Sequence, residues 1–325
     1  MDNFPTLAKS QARKDFEKID FVGVIVRYQE GVYVGSFING KKDGQGKLIY
    51  KDGSIYEGSW KNDQAEGKGT MIFANGGRYD GFWMNDQKHG AGKYTWTDGR
   101  EFEGNYQNNS RTGYGILKHP DGMIYKGDWK DNKREGQGLM TLPNGDKYDG
   151  SWMSDRWNGL GKYTWSDFQE YEGEFQDDKI TGYGTMKYKN GKVYQGGWKD
   201  GKREGKGVMT YPSGDKYDGS WMSDLISGIG KFTWNNGQEY EGNFQNNSRA
   251  GYGTMEYEDG KIYQGNWKND KKEDTGILTL PSKDKYEGKW VNDFLLPKVK
   301  IEYSNGDQYE GRLMSMNPRN KGKGL

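Results

Sequence analysis

The sequence predicts an all-β protein: an elongated single-layer antiparallel meander of about 12 hairpin units of 23 residues, with a short N-terminal helical cap. The composition supports this fold class. The 325 residues include 52 Gly and 15% aromatic residues but only 31% hydrophobic residues, which are too few for a large compact core. An aromatic residue followed two positions later by glycine also recurs every 23 residues without an insertion, and such a fixed period is typical of a repeat fold.

Each unit begins with a tyrosine or phenylalanine and has a second aromatic residue four positions later. Tyr56, Gly58 and Trp60 illustrate this order, and a Gly-x-Gly pair follows at Gly67 and Gly69. Alternate residues of a strand share one face, so we expect the rings on one face, with glycines leaving room for neighbouring rings. The tryptophans expected to be structural in this way are Trp60, Trp83, Trp129, Trp152, Trp198, Trp221, Trp267 and Trp290.

Turn residues usually close the unit, as at Asp52-Gly53 and Asn144-Gly145. Such pairs favour tight chain reversals, so each unit is predicted to be a two-stranded hairpin. One hairpin cannot bury its own aromatic rings, and the stacked hairpins are therefore expected to stabilise one another through nearest-neighbour contacts. Near the C-terminal end Asp274, Pro297 and Val299 replace repeat glycines, which predicts a reshaped terminal unit.

Three segments are predicted along the chain. Residues 1–27 form an N-terminal cap, in which residues 6–20 make a short amphipathic helix and residues 21–26 a strand. The cap is expected to cover the sheet edge, or alternatively to act as an arm that docks a partner. Residues 28–313 form the repeat sheet, and residues 314–325 form a basic C-terminal tail.

The 23-residue pattern Tyr-x-Gly-x-Trp followed by Gly-x-Gly resembles the MORN (membrane occupation and recognition nexus) repeat, and the run from Tyr56 to Phe73 matches it in full. The resemblance extends from about Tyr28 to Leu313 and covers nearly the whole chain. It implies a ribbon-like sheet. All-repeat proteins of this size in that family are often structural parts of cilia, such as radial spoke heads, or of other cytoskeletal assemblies. The resemblance therefore implies a structural role for this chain.

A longer period of 69 residues sorts the loops after the tryptophan position into three kinds, of which the first is neutral. The second begins with a basic pair: Lys133 and Arg134, Lys202 and Arg203, Lys271 and Lys272. The third has apolar residues that we expect at exposed turns, where they are candidate partner-binding residues: Trp157, Leu225, Ile226, Phe294, Leu295 and Leu296. The long period reflects either duplication of three units together or a spacing that is used for function.

Charge and composition argue against several function classes. A net charge of +1 disfavours general nucleic-acid binding, and the lack of cysteine excludes disulfides, thiol catalysis and Cys-based zinc sites. We expect no signal peptide and no membrane-spanning segment, hence a cytoplasmic protein. Gly-x-Gly is interpreted as structural, and His89 and His119 as surface residues. No enzyme activity, cofactor or metal is predicted.

The leading functional prediction is a non-catalytic interaction scaffold that binds helical or extended segments of other proteins, within a ciliary axoneme or another cytoskeletal assembly. The alternative is a peripheral membrane protein whose six basic loop residues contact acidic phospholipids. Each basic pair is followed by glutamate or aspartate, so we expect that lipid contact to be weak. The charged residues opposite the aromatic face are predicted to form a solvated cross-strand lattice.

Overall fold

The computed structural model describes residues 23–313, and this part of the chain contains 26 β-strands and no helix. The all-β prediction is confirmed. The chain divides into two compact units, Met1–Ser166 and Asp167–Leu325, called unit 1 and unit 2 below. The helix expected over residues 6–20 and the basic tail expected over residues 314–325 lie outside the described residues.

The strand bounds follow the 23-residue repeat. Unit 1 contains β1 (Val24–Arg27), β2 (Gly31–Ile38), β3 (Lys41–Tyr50), β4 (Ile55–Lys61), β5 (Gln64–Ile72), β6 (Arg78–Met84), β7 (Gln87–Thr95), β8 (Glu101–Gln107), β9 (Ser110–Lys118), β10 (Ile124–Lys130), β11 (Lys133–Thr141), β12 (Lys147–Met153) and β13 (Arg156–Thr164). Unit 2 contains β14 (Glu170–Gln176), β15 (Lys179–Lys187), β16 (Val193–Lys199), β17 (Lys202–Thr210), β18 (Lys216–Met222), β19 (Leu225–Thr233), β20 (Glu239–Gln245), β21 (Ser248–Glu256), β22 (Ile262–Lys268), β23 (Lys271–Thr279), β24 (Lys285–Val291), β25 (Phe294–Glu302) and β26 (Gln308–Arg312).

Within each unit every strand pairs antiparallel with the next strand in sequence, which makes an open meander. In unit 1, β1 pairs with β2 and the series continues to β12 and β13; in unit 2 it runs from β14 to β26. Hairpins with two-residue turns begin at β2 in unit 1 and at β14 in unit 2. The predicted hairpin units are therefore confirmed.

The two-residue turns are built from asparagine, aspartate, serine and glycine. In the turn between β18 and β19, Ser223 has φ 47° and Asp224 has φ 70°, as in the primed turns that match the twist of a hairpin. Asp224 Oδ1 also accepts a hydrogen bond from the backbone N–H of Arg203 in the preceding hairpin, at 3.0 Å. The same bond joins Lys272 N–H to Asp293 at 2.8 Å, so the turns link successive hairpins.

The loops that contain proline, at 69-residue intervals, make a second link at the opposite edge. Asp215 Oδ1 accepts the backbone N–H of Asn235 at 2.8 Å, and Asp284 Oδ1 accepts that of Ser304 at 2.8 Å. These aspartates follow Pro212 and Pro281 by three residues. Part of the 69-residue period thus has a structural role. In every third loop an aspartate carboxylate accepts a hydrogen bond from a backbone N–H of the next loop.

Tyrosine rings pack on glycine pairs across the strands. Tyr125 lies over Gly127 and Gly138, and a Cβ atom at either glycine would clash with its ring or with the facing strand. The register of β10 and β11 shifts between Gly127 and Trp129, which is a β-bulge, and Gly136 adopts φ +67° there. The bulge brings the carbonyl of Asp128 within 2.9 Å of the Tyr125 hydroxyl, which donates a hydrogen bond to it. The glycines are therefore required by the packing of the ring.

Within each unit the rings form a ladder along the face that carries tyrosine and tryptophan, called the aromatic face. Tyr194 meets Trp198 and Trp221 edge to face, with ring centroids 5.2 Å apart in both pairs, which is a favoured geometry for aromatic contacts. The Trp221 indole N–H donates a hydrogen bond to Gly207 O at 3.1 Å. The eight structural tryptophans, four in each unit, are all buried.

The last hairpin, β24–β25, departs from this arrangement. Val299 replaces the glycine that would face Gly288, and together with Leu295 and Ile301 it forms a buried aliphatic end to the ladder. A Cβ atom at Gly288 would approach Leu295 and Val299 rather than a tyrosine ring. The expected reshaping of the C-terminal end is present in the structure.

Candidate interaction surfaces

The second residue of each basic pair lies on the aromatic face. The Arg203 guanidinium sits 4.3 Å from the Trp221 ring centroid, a cation–π distance. Its Nε donates a hydrogen bond to Asp224 Oδ1 at 3.0 Å, and its Nη2 donates one to Asp224 O at 2.9 Å. Arg134 makes the same contacts with Trp152 and Asp155. The guanidinium groups of these arginines are therefore engaged by tryptophan rings and turn aspartates of the chain itself.

Lys272 occupies the same position in the third basic pair. Its Nζ lies 4.9 Å from the Trp290 ring centroid, and burial lowers the pKa of its ammonium group. The expectation that both residues of each pair could contact lipid headgroups is therefore corrected for Arg134, Arg203 and Lys272. The first residues of the pairs are exposed at the start of their strands: Lys133, Lys202 and Lys271.

The expected position of Trp157, Ile226 and Leu295 at exposed turns is wrong. The turns consist only of the two residues that precede β13, β19 and β25, and the second residue of each of these strands points back to the aromatic face. Ile226 is 6% exposed and faces Trp221 across the hairpin. Trp157 is half-buried and stacks on Tyr148 with a centroid distance of 4.6 Å.

We expect Ile226→Glu to lower the free energy of unfolding by about 3–5 kcal/mol, because it removes a buried aliphatic side chain and places a carboxylate beside Trp221. The control is Leu225→Glu, since Leu225 is exposed and a surface substitution changes stability by about 0.5 kcal/mol or less. Urea unfolding followed by circular dichroism measures both. Equal midpoints for the two variants would contradict the assigned positions.

The exposed apolar residues of these loops flank the turns and face away from the aromatic ladder. Leu225 lies opposite Met222, and Phe294, which is 76% exposed, lies opposite Val291; Leu296 is exposed as well. In neighbouring hairpins of unit 2 the same positions hold lysine pairs: Lys199 with Lys202, and Lys268 with Lys271. These residues, together with the two apolar pairs, form what we call the hairpin-tip edge of unit 2.

The face opposite the aromatic ladder, called the polar face, carries ion pairs as expected, but it also carries a row of apolar residues that the sequence interpretation missed. These are the central residues of Gly-x-Gly, and each is more than half exposed: Tyr114, Leu160, Tyr183, Ile229 and Tyr252. The signal was present in the alternation of the strand. If the second glycine faces the aromatic ladder, the residue before it must face the other way.

Two open depressions lie on the polar face of unit 2, each of about 450 Å³, and Tyr252 lines both. One also contains Ile229, Lys231, Glu239 and Glu256. The other is lined by Tyr252 with residues of β22–β26, among them lysines 289, 298 and 300. Both depressions have apolar and charged walls, which is a common property of binding surfaces.

Residues 23–313 contain no group of three His, Cys, Asp or Glu side chains placed to hold a metal ion. In the same range, no helix has the length and apolar character needed to cross a bilayer.

The MORN repeat pattern matches eleven segments of the chain: residues 33–55, 56–78, 79–99, 102–124, 125–147, 148–169, 171–193, 194–216, 217–239, 240–262 and 263–285. The matches stop where the reshaped hairpin β24–β25 begins. No curated protein matches the chain significantly.

Among the solved structures with similarity to the chain are two domains of related proteins. The SAS-4 (dCPAP) TCP domain of Drosophila melanogaster, in complex with a proline-rich motif of Ana2 (dSTIL), is 12% identical, with 59% of this chain and 94% of that chain covered and a TM-score of 0.30. The TCP10 domain of Danio rerio CPAP is 14% identical, with 68% and 93% covered and a TM-score of 0.23. Both TM-scores are too low to support an argument about fold or function.

The family assignment rests on the repeats themselves. The matched segments cover most of the chain and coincide with successive hairpins from β2 to the start of β24. The chain belongs to the MORN repeat family.

Proposed function

We propose that this chain is a non-catalytic interaction scaffold and a structural component of a ciliary axoneme or another cytoskeletal assembly. The MORN repeat is a non-enzymatic repeat domain with a scaffold or membrane-associated role. The observation that carries the proposal is the difference between the two faces of the sheet. The aromatic face is filled by the chain's own side chains, whereas the polar face presents exposed apolar groups.

The aromatic face supplies rigidity rather than a binding groove. Tyrosine hydroxyls and indole N–H groups donate hydrogen bonds to backbone carbonyls, as at Tyr217 to Ser220 O and Trp221 to Gly207 O. Arginines lie over the tryptophan rings and are themselves paired with turn aspartates, as Arg203 is with Asp224. Because buried polar groups are paired, this face gains little from an additional partner.

The polar face supplies regularly spaced contacts. Tyr183 and Tyr252 occupy the same position three hairpins apart in unit 2, both exposed on the same face. Six strands at the usual spacing place them about 29 Å apart. A partner that extends along several hairpins can engage such sites together, and linked weak contacts then give a much higher overall affinity.

Detergent extraction of cells that express the chain tests the proposal. We expect the protein to stay with the insoluble cytoskeleton or axoneme, because its contacts are with other proteins of an assembly. Cross-linking of that fraction would then identify the neighbours. Complete release with the dissolved membranes would overturn the cytoskeletal proposal.

Release with the membranes would instead support the second candidate, association with an acidic lipid surface, which the hairpin-tip edge of unit 2 favours. There, each apolar pair, Met222–Leu225 or Val291–Phe294, lies one hairpin after an exposed lysine pair. Lysines near an anionic surface contribute about 1 kcal/mol each, and an exposed phenylalanine can enter the headgroup region.

A further inference from the structure

The depression between β19, β20 and β21 on the polar face has an exposed apolar wall. Ile229 is 62% exposed and Tyr252 is 59% exposed, and both line the depression. Each stands between two glycines of its strand. The sheet does not require an apolar residue at this position, since Gln137 and Lys206 occupy it in other hairpins. Exposed aromatic and aliphatic groups beside a depression are characteristic of a contact surface.

The charged wall of the same depression contains two carboxylates in directly opposed positions. Glu239 faces Glu256 directly across β20 and β21, and like charges in directly opposed positions are destabilising. At the equivalent positions 69 residues earlier, Glu170 faces Lys187 and pairs with it at 3.4 Å. At 138 residues earlier, Glu101 faces Lys118. The third copy therefore has glutamate where the first two have lysine.

The resulting charge is only partly neutralised within the described residues. Lys231 Nζ lies 2.6 Å from Glu239 Oε2, and the pKa of Lys231 is raised by its hydrogen bond to Glu239 and by the nearby Glu241 and Glu256. Neither Glu241 nor Glu256 has an ion-pair partner within 4.0 Å among residues 23–313. Three glutamates against one lysine leave a net charge of −2 among the residues that line the depression.

We propose that this depression binds a short segment of another protein in which a lysine or arginine lies next to an apolar side chain. The cation pairs with Glu256 and Glu241 and relieves the repulsion between Glu239 and Glu256. It also lies against the Tyr252 ring, which attracts cations through its π face. The apolar side chain contacts Ile229. The inference rests on the proposed scaffold function and specifies the chemistry of one partner.

Charge decides between this occupant and two others. Acidic lipid headgroups would be repelled by the glutamates. The chain's own basic residues 314–325 follow β26. The neighbouring depression on the polar face, between β26 and this one, is lined by Lys289, Lys298 and Lys300 against Glu287 and Glu310, a net charge of +1. A basic segment that crossed it would gain no net attraction there, so a segment of another protein fits better than the tail.

Selection from a phage-displayed library of random dodecapeptides on the full chain tests the proposal. We expect the enriched sequences to place Lys or Arg beside an apolar residue. An enriched peptide, made synthetically, should lose affinity by about ten-fold or more on Glu256→Lys, and a smaller loss is expected on Tyr252→Ser. Glu256→Lys restores the glutamate–lysine pair of the other two copies, so its thermal midpoint should rise, which separates lost binding from unfolding.

The matched control is Glu172→Lys. Glu172 is an exposed polar-face residue of β14, six strands from β20 and hence about 29 Å away, and the substitution changes the charge equally; affinity should be unchanged. A library without enrichment of basic residues, or equal binding to Glu256→Lys, would overturn the proposal. So would tighter binding, by about ten-fold or more, after deletion of residues 314–325, because the tail would then be the occupant. If the inference fails while the chain still fractionates with the cytoskeleton, the scaffold function stands without it.

Discussion

Replacing Gly138 by valine is expected to lower the free energy of unfolding by about 3–5 kcal/mol, comparable to the loss of a buried aromatic side chain. The valine side chain would occupy the space of the Tyr125 ring, which lies directly on Gly138. Tyr125 would then lose its hydrogen bond to Asp128 O and its edge-to-face contacts with Trp129 and Trp152, at centroid distances of 5.3 and 5.1 Å. Urea unfolding followed by tryptophan fluorescence measures the effect.

The matched control is Gln137→Val in the same strand. Gln137 is exposed and faces the polar side, so the added β-branched side chain meets no ring, and the change in stability should be within about 0.5 kcal/mol. Hydrogen exchange should also show that Gly138→Val loosens the hairpins next to β11 most, because each hairpin contacts only its neighbours. A Gly138→Val protein as stable as Gln137→Val would contradict the packing of tyrosine on glycine.

The sequence was sufficient to predict the hairpins and the aromatic face, because their determinants are periodic. A tyrosine, a glycine and a tryptophan at alternate positions specify one face of a strand, as Tyr125, Gly127 and Trp129 show. The same alternation specifies the polar face. Tyr252 was nevertheless missed, because Gly-x-Gly was interpreted through its glycines and the residue between them was not assigned to a face.

The position of the loop residues could not be predicted because it depends on turn length. A longer turn would have left Ile226 at an exposed tip. Positive φ at Ser223 and Asp224 closes the reversal in two residues and starts β19 at Leu225. Ile226 then returns to the aromatic face. A Ser-Asp pair in a sequence predicts a two-residue turn less strongly than an Asn-Gly pair does.

The second large effect is expected at high pH: the protein should unfold cooperatively between about pH 10 and 12. Burial raises the pKa of Tyr33 and Tyr240 to about 12, and it raises the pKa of Tyr194 and Tyr217 as well. All four side chains are fully buried. An unfolded tyrosine has a pKa of about 10, so above that pH the unfolded chain binds fewer protons than the folded chain.

The sign of the effect follows from this difference. A tyrosine with a raised folded-state pKa contributes stability that is complete below pH 10 and is lost as the pH rises toward 12, at up to about 1.36 kcal/mol per pH unit. By pH 12 the four tyrosines together lose an amount comparable to the total stability of about 5–15 kcal/mol that is usual for a domain. Burial lowers the pKa values of Lys88 and Lys272. These two lysines make the free energy of unfolding rise with pH, but they are fewer than the four tyrosines.

Tyrosinate absorbance and far-ultraviolet circular dichroism, recorded over one pH titration, check this expectation. The buried tyrosines should ionise only together with the loss of β-structure. Phe102 takes the place of tyrosine in one hairpin, which shows that the position tolerates the loss of the hydroxyl, so Tyr217→Phe should move the alkaline transition upward. Ionisation of the tyrosines near pH 10 in a single step, with the sheet intact, would contradict their burial in the ladder.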